Sequence, residues 1–269
     1  MKVANKVIVV TGGGSGMGRE LVLKLLAKNA KVVTIDINEN SLQETARLAG
    51  NSIDSLTTSI TDITNRNAVE ELLKNCLTKH GHVDAIINNA GIIQPFVKII
   101  DLDYASIERV MHINFYGTLY MTKTFLPHLL TRPEAHVMNI SSMGGFLPVP
   151  GQTLYGASKA AVKLFTEGLY AELAGTKVGV TVVFPGAVNT NISRNSGVEM
   201  PARTTTEKQS VKMLSAGKAA HIMIEAMERN RYRVLVGNDA RLMDFFYRLN
   251  PKSAVGLITK RMRGLLAEK

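Results

Sequence analysis

The sequence predicts an α/β protein built on one doubly wound parallel sheet of seven strands, with helices on both faces. Short runs rich in β-branched residues recur along the 269 residues, and they are apolar throughout, which is typical of strands buried on both faces. Helical patterns separate these runs, and strands that alternate with helices form parallel sheets through right-handed crossovers. Together the two observations indicate a Rossmann-like architecture.

The elements of the first half follow from local composition. The strand predicted at residues 6–11 (KVIVVT) is continuous in β-branched residues, stops at glycines and is followed by a helix at 17–28. The strand KVVTID at 31–36 precedes a helix at 39–49, and a weaker strand at 55–60 precedes a helix at 65–79. A fourth strand at 83–88 leads to a long helix at 104–130.

The second half continues the alternation. A strand at 136–141 precedes a helix at 155–174, a strand at 178–184 precedes a helix at 216–229, and the seventh strand spans 232–236. Residues 191–209 are polar and rich in Ser, Thr and Gly, which indicates an excursion within the domain rather than a boundary. We therefore expect one domain over residues 1–269, with a helical extension at 238–269.

Two segments of that extension, 239–249 and 253–269, have helical patterns. In the second, apolar residues recur at helical spacing beside basic ones; they are Val255, Ile258, Met262, Leu265 and Leu266. The favoured interpretation is a helix that packs on its own domain or on a partner subunit. The alternatives are a basic amphipathic helix that lies on a membrane surface, and a lid over the substrate.

Charge is distributed unevenly along the chain. The formal net charge is +10, and residues 151–269 carry 18 Lys/Arg against 9 Asp/Glu. This basic half is either a solvated face or a surface that attracts an anionic substrate, an acidic carrier or an anionic membrane. Nucleic-acid binding is not expected, because the basic residues are not clustered with stacking aromatic residues and tryptophan is absent.

The remaining composition favours a cytoplasmic protein. Cys76 is the single cysteine, so no internal disulfide forms, and its place in a helical stretch favours a packed apolar residue over a nucleophile. No apolar run approaches the roughly 18 residues needed to span a bilayer. The histidines show no metal-ligand spacing with cysteine or acids, so we expect no metal site.

The first predicted strand leads into a glycine-rich turn, TGGGSGMG at residues 11–18, and then into a helix. Glycines let the backbone approach a pyrophosphate closely, and the first turn of the helix offers unpaired N–H groups and a positive dipole end. A flexible turn is the plain alternative. The order strand, glycines, helix at the start of a βαβ unit favours nucleotide binding.

Asp36 ends the second predicted strand. A carboxylate at this position accepts hydrogen bonds from both ribose hydroxyls of NAD and repels the additional 2′-phosphate of NADP. Ser15 and Ile37 occupy the places where NADP binding would want a basic residue. The sequence therefore favours NAD, with NADP as the less favoured cofactor.

A tyrosine and a lysine lie on one face at the start of a predicted helix. Tyr155 and Lys159 are four residues apart, which brings their side chains together. A tyrosine ordinarily titrates near ~10, and a neighbouring cation favours its phenolate form. The pair is therefore a candidate acid–base group.

Other polar residues gather where strands of a parallel sheet end. Ser141 and Ser142 end the fifth predicted strand, and the tetrapeptide NNAG at 88–91 ends the fourth. Asn114 lies in the middle of the long predicted helix, which is an unfavourable position for asparagine unless its side chain has a task. These residues are candidates for the same active site.

Taken in order, the motifs resemble the short-chain dehydrogenase/reductase family in its common single-domain form, over about residues 5–190. The matching features are the pattern TGxxxGxG at 11–18, Asp62 after the third strand, NNAG at 88–91, Asn114, Ser142, YxxxK at 155–159, and Pro185-Gly186 with Thr190. Each motif is weak by itself. Their order, and the spacing between Ser142 and Tyr155, make the set specific.

The resemblance implies a catalytic role for four residues. Tyr155 is the expected general acid/base, and Ser142 is expected to hydrogen-bond the substrate oxygen and stabilise charge there. Lys159 is expected to hold the nicotinamide ribose and to lower the pKa of Tyr155. Asn114 is expected to position a water that relays the proton onward from Lys159.

The same resemblance implies the residues that contact NAD. Glycines of the turn are expected to cradle the pyrophosphate, Asp36 to bind the adenosine ribose, Asp62 to lie at the adenine edge, Asn88 near the adenosine-side ribose and Thr190 at the carboxamide. The full expected set is Gly12, Ser15, Gly16, Met17, Gly18, Asp36, Ile37, Asp62, Ile63, Asn88, Ala90, Gly91, Tyr155, Lys159, Pro185, Gly186, Val188 and Thr190. Residues 1–150 are then mainly the NAD-binding half, and residues 151–237 supply the catalytic helix and the substrate loop.

These implications give the leading hypothesis, an NAD-dependent oxidoreductase that moves a hydride between nicotinamide and a secondary alcohol or ketone. Apolar candidates for the substrate pocket favour a hydrophobic substrate, although core packing explains them equally well; they are Met143, Phe146, Leu147, Val149, Leu154, Val188 and Met200. Two other classes stay open: an NADP-dependent reductase of 3-oxoacyl thioesters on an acidic carrier, and a non-catalytic nucleotide-sensing protein. The resemblance also implies a homodimer or homotetramer.

Overall fold

The computed structural model describes residues 1–198 and 213–262. The strands of its main sheet are β1 (Val7–Thr11), β2 (Lys31–Asp36), β3 (Leu56–Ile60), β4 (Ala85–Asn88), β5 (Ala135–Ile140), β6 (Val178–Pro185) and β9 (Arg233–Val236). They are parallel and lie in the order β3-β2-β1-β4-β5-β6-β9, which confirms the predicted doubly wound sheet. The strand order reverses between β1 and β4, where folds of this type form a ligand crevice at the carboxyl ends of the strands.

The helices are α1 (Gly16–Ala27), α2 (Glu39–Ala49), α3 (Arg66–His80), α4 (Tyr104–Met111), α5 (Thr118–Leu130), α6 (Thr153–Glu172), α7 (Ile192–Ser196), α8 (Ala216–Glu228), α9 (Asn238–Leu249) and α10 (Pro251–Arg261). Helices α1 and α8 pack on one face of the sheet, while α3, α5 and α6 pack on the other. Within the described residues, none of these helices combines the length and the apolar content that crossing a bilayer requires.

The two helical layers explain the continuous apolar strands. Ile8 and Val10 of β1 belong to the hydrophobic cluster under α1 and α8, whereas Val7 and Val9 belong to the cluster under α3 and α5. All four side chains are buried, because successive residues of a strand point to opposite faces. A strand covered on both sides has no position at which a polar residue is favoured, which is why alternation is absent from the sequence.

The long helix predicted at 104–130 is divided into α4, a π-helical turn at His112–Gly117, and α5. Asn114 lies inside this turn and is fully buried. A π-helical turn inserts an extra residue into the helix and is frequent at functional sites. The apolar periodicity continues across the turn, so the sequence pattern alone predicted one uninterrupted helix.

Two further strands were not predicted from the sequence. They are β7 (Val188–Asn189) and β8 (Leu214–Ser215), which pair with each other in a separate parallel ladder. Strands of two residues are too short to produce an alternating pattern. Their pairing brings the chain back from the region after β6 to the start of α8.

The C-terminal extension folds back onto the protein. Met243 of α9 and Ala254 of α10 are buried in a small cluster with Leu147, and Ile258 packs against the same cluster. Arg233 of β9 donates two hydrogen bonds to the Asp244 carboxylate, at 2.9 and 2.7 Å. The inner face of this region therefore agrees with the interpretation of the extension as helices that pack on their own domain. The predicted positions Leu265 and Leu266 lie outside the described residues.

Candidate active site

A cleft of about 430 Å³ opens at the carboxyl ends of β1, β2 and β4. Many of the residues predicted to bind NAD line it: Gly12, Ser15, Gly16, Met17, Asp36, Ile37, Asp62, Ile63, Ala90, Gly91 and Thr190. They come from five separate loops, which the parallel sheet brings to one edge. The cleft therefore lies at the reversal of strand order that the topology marks as a binding crevice.

The glycine turn is shaped by close contacts that leave no room for side chains. Gly12 has a φ of +68°, and a Cβ atom on it would lie 2.9 Å from the Cα atom of Ala90. A Cβ atom on Gly18 would collide with the carbonyl oxygen of Gly12, so Gly18 lets α1 pack against the turn rather than line the cleft. Gly16 has a φ of +53°, and a Cβ atom on it would lie 3.3 Å from the Cβ atom of Thr190.

The start of α1 suits an anionic group. Its N-cap residue Ser15 does not cap the helix with its side chain, and the Ser15 hydroxyl instead accepts a hydrogen bond from Asn195 Nδ2 at 2.7 Å. The N–H groups of a first helical turn have no partner within the helix, and the helix dipole places partial positive charge there. The turn and the helix start therefore fit a pyrophosphate.

Asp36 is held in the cleft by backbone donors. Its Oδ2 accepts from the N–H of Gly14 at 3.0 Å, and its Oδ1 accepts from the N–H of Asn38 at 3.1 Å. Arg19, a basic residue near the turn, donates to the carbonyl of Ser41 and the hydroxyl of Thr45. The carboxylate is thus fixed where an adenosine ribose would lie.

The two asparagines of the NNAG motif after β4 lie in different surroundings. Thr11 Oγ1 accepts from the N–H groups of Asn89 and Ala90, both at 2.9 Å, which ties this loop to the glycine turn. Asn89 lines the cleft. Asn88 is 3% exposed and donates to Asn139 Oδ1 at 2.8 Å, so it lies below the cleft and not among the residues that line it.

Ser142 and Tyr155 meet beside Gly144. The Ser142 hydroxyl accepts from the N–H of Gly144 at 3.0 Å and lies next to the Tyr155 phenol, whose pKa it lowers. A Cβ atom on Gly144 would lie 3.4 Å from Ser142 Oγ and 3.4 Å from Tyr155 Cε1. The neighbouring Ser141 is buried and donates to the carbonyl of Lys159 at 2.7 Å. Of the two serines that follow β5, Ser142 rather than Ser141 therefore lies beside Tyr155.

Lys159 and Asn114 converge on Gly91. Lys159 Nζ donates to the carbonyl of Ile140 at 3.0 Å, and the Asn114 amide is paired with both the N–H and the carbonyl of Ile92. The point where a Cβ atom on Gly91 would lie is 3.0 Å from Lys159 Nζ and 3.1 Å from Asn114 Oδ1. Glycine therefore leaves a small space between an ammonium donor and an amide acceptor.

Burial shifts the pKa values of the two titratable groups in opposite directions. Burial raises the pKa of the Tyr155 phenol, and the neighbouring Ser142 hydroxyl only partly offsets this. Burial lowers the pKa of Lys159 from 10.5 to about 8. The structure therefore differs from the expectation that Lys159 lowers the pKa of Tyr155, because desolvation of the phenol dominates and the ammonium donates to a backbone carbonyl instead.

Gln94 was not predicted from the sequence, yet it organises the start of the catalytic helix. It is fully buried, and its Oε1 accepts from the N–H of Leu154 at 2.8 Å and from the N–H of Tyr155 at 2.9 Å. Its Nε2 donates to the carbonyl of Gly151 at 3.0 Å. Since α6 has no side-chain cap of its own, Gln94 supplies a cap from a remote loop.

Other predicted residues lie away from the cleft. Gly186 follows β6 and packs against the Asp239 carboxylate, which accepts from the N–H of Ala187 at 2.6 Å. Val188 pairs with Leu214 and packs on the main hydrophobic cluster, and Pro185 is the buried end of β6. These positions shape the chain that carries Thr190 rather than line the cleft.

Several candidates for a substrate pocket are packing residues. Leu147 is fully buried in the cluster with α9 and α10, and Phe146 stacks against Phe184 and Tyr247. Met200 lies outside the described residues. Over residues 1–198 and 213–262, no group of three or more His, Cys, Asp or Glu side chains is arranged to hold a metal ion.

Several cleft residues were not assigned a role from the sequence, although Asn89 belongs to the NNAG motif. They are Ile35, Asn38, Ser41, Thr61, Thr64, Asn89, Ile92, Arg109, His112, Ile113, Asn191, Ile192 and Asn195. Asn38, Thr61 and Asn89 closely follow strand ends, and that position could have identified them. Arg109 and His112 lie within a helix, and only the packing of α4 over the sheet brings them to the cleft.

Comparison with known proteins gives consistent matches. A family model described as short chain dehydrogenase matches residues 6–200. "Putative oxidoreductase SadH" of Mycobacterium tuberculosis is 34% identical over 259 residues, which are 94% of either chain. A short chain dehydrogenase/reductase of Burkholderia phymatum, crystallised with NAD, is 27% identical with a TM-score of 0.81 and covers 93% of this chain and 96% of its own. A serine dehydrogenase complexed with NADP⁺ is 27% identical with a TM-score of 0.76, covering 86% and 94%. Similar proteins thus bind either nucleotide.

Proposed function

This chain belongs to the short chain dehydrogenase family of oxidoreductases, and we propose that it transfers a hydride between NAD(H) and a hydrophobic secondary alcohol or its ketone. One observation carries the proposal. Gly91 lines the nucleotide cleft and also abuts Lys159, which lies one helical turn from Tyr155. The candidate acid–base group and the cleft are therefore immediate neighbours.

Residues of the cleft hold the cofactor, which supplies the hydride chemistry when it is bound. Gly12 and Gly16 leave space for the pyrophosphate, and the first turn of α1 donates to it. Asp36 accepts hydrogen bonds from the adenosine ribose and disfavours a 2′-phosphate, which supports NAD over NADP. Thr190, which faces Gly16, is placed to contact the carboxamide.

Tyr155 is the general acid/base in this proposal. In oxidation its phenolate oxygen accepts the proton of the substrate hydroxyl, and in reduction the phenol returns it. Ser142 hydrogen-bonds the substrate oxygen and stabilises the charge that develops there. Lys159 Nζ and Asn114 Oδ1 both lie close to Gly91, and in this proposal Asn114 positions a water molecule that relays the proton onward from Lys159.

Three isoleucines support a hydrophobic substrate. Ile92, Ile113 and Ile192 line the cleft together with polar residues such as Arg109 and His112. Apolar side chains in a pocket favour a hydrophobic alcohol or ketone over a polyol. In this proposal residues 1–150 mainly bind the nucleotide, residues 151–237 provide the catalytic helix and the substrate loop, and the protein assembles as a homodimer or homotetramer.

The test compares the wild type with Tyr155→Phe on a panel of hydrophobic secondary alcohols, with NAD⁺ or NADP⁺. Removing the acid–base group should lower kcat by about a hundredfold to ten-thousandfold. NADH binding, followed by fluorescence, should remain. Tyr170→Phe is the matched control, because Tyr170 lies on the same helix, is 47% exposed and stacks on Tyr232. Turnover by Tyr155→Phe at the wild-type rate would contradict the assignment.

A further inference from the structure

Helix α9 carries an apolar stripe on its outer face. Leu242, Phe245, Phe246 and Leu249 recur at the spacing of a single helix face and are 54%, 60%, 44% and 67% exposed. We call these four residues the α9 stripe. Two adjacent exposed phenylalanines and two exposed leucines on 12 residues form a contiguous apolar patch, and such patches mark interaction sites.

The opposite face of α9 holds the helix firmly, so the exposure of the stripe is not a consequence of loose attachment. Ala240 is fully buried, Met243 is 6% exposed, and Asp244 is 8% exposed. Asp244 pairs with Arg233 of β9, whose guanidinium also lies over the ring of Phe184 at 4.6 Å. The orientation that presents the stripe outward is therefore set by the domain itself.

The surroundings of the stripe are basic. Arg241 and Arg248 are seven residues apart and thus follow one border of the stripe. Arg248 pairs with Asp244 at 3.1 Å, and its side chain is 63% exposed. Helix α10 begins immediately after α9 and adds the exposed residues Lys252, Lys260 and Arg261. The two acidic residues of these helices point elsewhere, since Asp239 accepts from the N–H of Ala187 and Asp244 is buried in its ion pairs.

We propose that α9 and α10 dock the protein onto an anionic lipid surface, with the α9 stripe entering the boundary between headgroups and acyl chains. Exposed phenylalanine and leucine beside arginine and lysine are the composition of helices that lie in a membrane interface. Long basic side chains at the border reach the lipid phosphates while their stems stay on the apolar side. This contact is peripheral and independent of the proposed hydride transfer.

Charge favours a lipid surface over a second copy of the chain. A symmetric pairing of two such faces would bring the basic borders of both copies together, and like charges across an interface are unfavourable. An anionic bilayer neutralises the same charges and covers the stripe. The proposal also moves the membrane contact expected at the C-terminal helix to α9, whose apolar face is the more exposed of the two.

The experiment is flotation of the full-length protein with vesicles of phosphatidylcholine alone or mixed with phosphatidylglycerol. Binding should require phosphatidylglycerol and should weaken as salt rises, because salt shortens the reach of the charges. The double variant Phe245→Ser/Phe246→Ser should bind about tenfold more weakly. Its matched control is Leu48→Ser/Ile53→Ser, since both residues are 44% exposed and lie near β3, at the other edge of the sheet.

Each outcome decides the proposal. Phosphatidylglycerol-dependent flotation that only the phenylalanine variant loses, with its melting temperature and NADH binding unchanged, supports it. Wild-type protein that ignores both kinds of vesicle overturns it. A change of oligomeric state in the phenylalanine variant, measured by light scattering without vesicle binding by the wild type, also overturns it and assigns the stripe to contact between copies.

Discussion

The nucleotide cleft and the catalytic group are neighbours, but they are built differently. The cleft is shaped mainly by backbone: glycines whose missing side chains admit a ligand, and loops such as Asn89-Ala90 that are pinned by Thr11. The proposed catalytic group depends on side chains that arrive from remote segments, including the buried Gln94 and Asn114 and the half-buried Ser142. We therefore expect changes in the catalytic group to affect rate, and changes in the cleft to affect nucleotide affinity and choice.

Replacing Lys159 tests the catalytic side of this comparison most strongly. Lys159→Met keeps the length of the side chain but removes the ammonium, which in the proposed function holds the nicotinamide ribose beside Tyr155. We expect kcat to fall by about a hundredfold to ten-thousandfold in steady-state assays. Lys163→Met is the control, because Lys163 lies one turn further along α6 and pairs with Glu167 on a partly exposed face. Equal losses in both variants would speak against a specific role for Lys159.

Asp36→Asn tests the cleft. Asparagine keeps an oxygen that can accept from the N–H of Gly14, but it lacks the negative charge that repels a 2′-phosphate. Hydrogen bonds to charged groups contribute about 1.5–3 kcal/mol, so the preference for NAD⁺ over NADP⁺ should fall by about tenfold to a hundredfold. The measurement is kcat/KM with each nucleotide, and kcat itself should change little. Asp54→Asn, on an exposed turn, should leave the ratio intact. An unchanged ratio in Asp36→Asn would reject the assignment of Asp36.

Gln94 tests whether a residue outside the reacting group positions Tyr155. Gln94→Leu leaves the N–H groups of Leu154 and Tyr155 without their acceptor, which should cost about 1–3 kcal/mol of unfolding free energy for each unsatisfied group. Displacement of Tyr155 should lower kcat about tenfold with little change in the KM for NAD⁺.

The conservative variant separates positioning from general destabilisation. Gln94→Glu keeps an acceptor at the start of α6, where the helix dipole favours negative charge, but loses the donor to the carbonyl of Gly151, so it should recover kcat in part. Loss of kcat in both variants in proportion to their melting temperatures would reduce Gln94 to a structural role.

The smallest effect concerns pH. The pKa of Lys159 is lowered to about 8, so Lys159 loses its proton as pH rises through that value. The neutral amine can then accept the proton that oxidation of the substrate releases. Oxidation should accelerate by roughly threefold to tenfold per unit of pH around 8, while reduction slows. Initial rates in both directions across this range provide the measurement. Profiles with the opposite slopes, or profiles that stay flat in both directions, would contradict the shift assigned to Lys159.

Sequence reasoning was most successful where one local pattern has one structural meaning. Continuous β-branched runs and the helices between them predicted the seven strands of the parallel sheet, and local motifs such as the glycine turn predicted much of the cleft wall. It failed where a pattern is ambiguous or remote. The π-helical turn at His112–Gly117 interrupts a helix whose apolar periodicity continues, and Gln94 is an ordinary loop residue until α6 is packed against it.

The chain by itself determined the fold class, the glycine turn, the position of Asp36 and the pairing of Tyr155 with Lys159, because each depends on residues close in sequence. Tertiary structure decided which asparagine of NNAG lines the cleft, which serine meets Tyr155, and how Gly91 joins the cleft to Lys159. It also decided that α9 turns its phenylalanines outward. These are contacts between distant segments, and their geometry is fixed only when the sheet and its two helical layers are assembled.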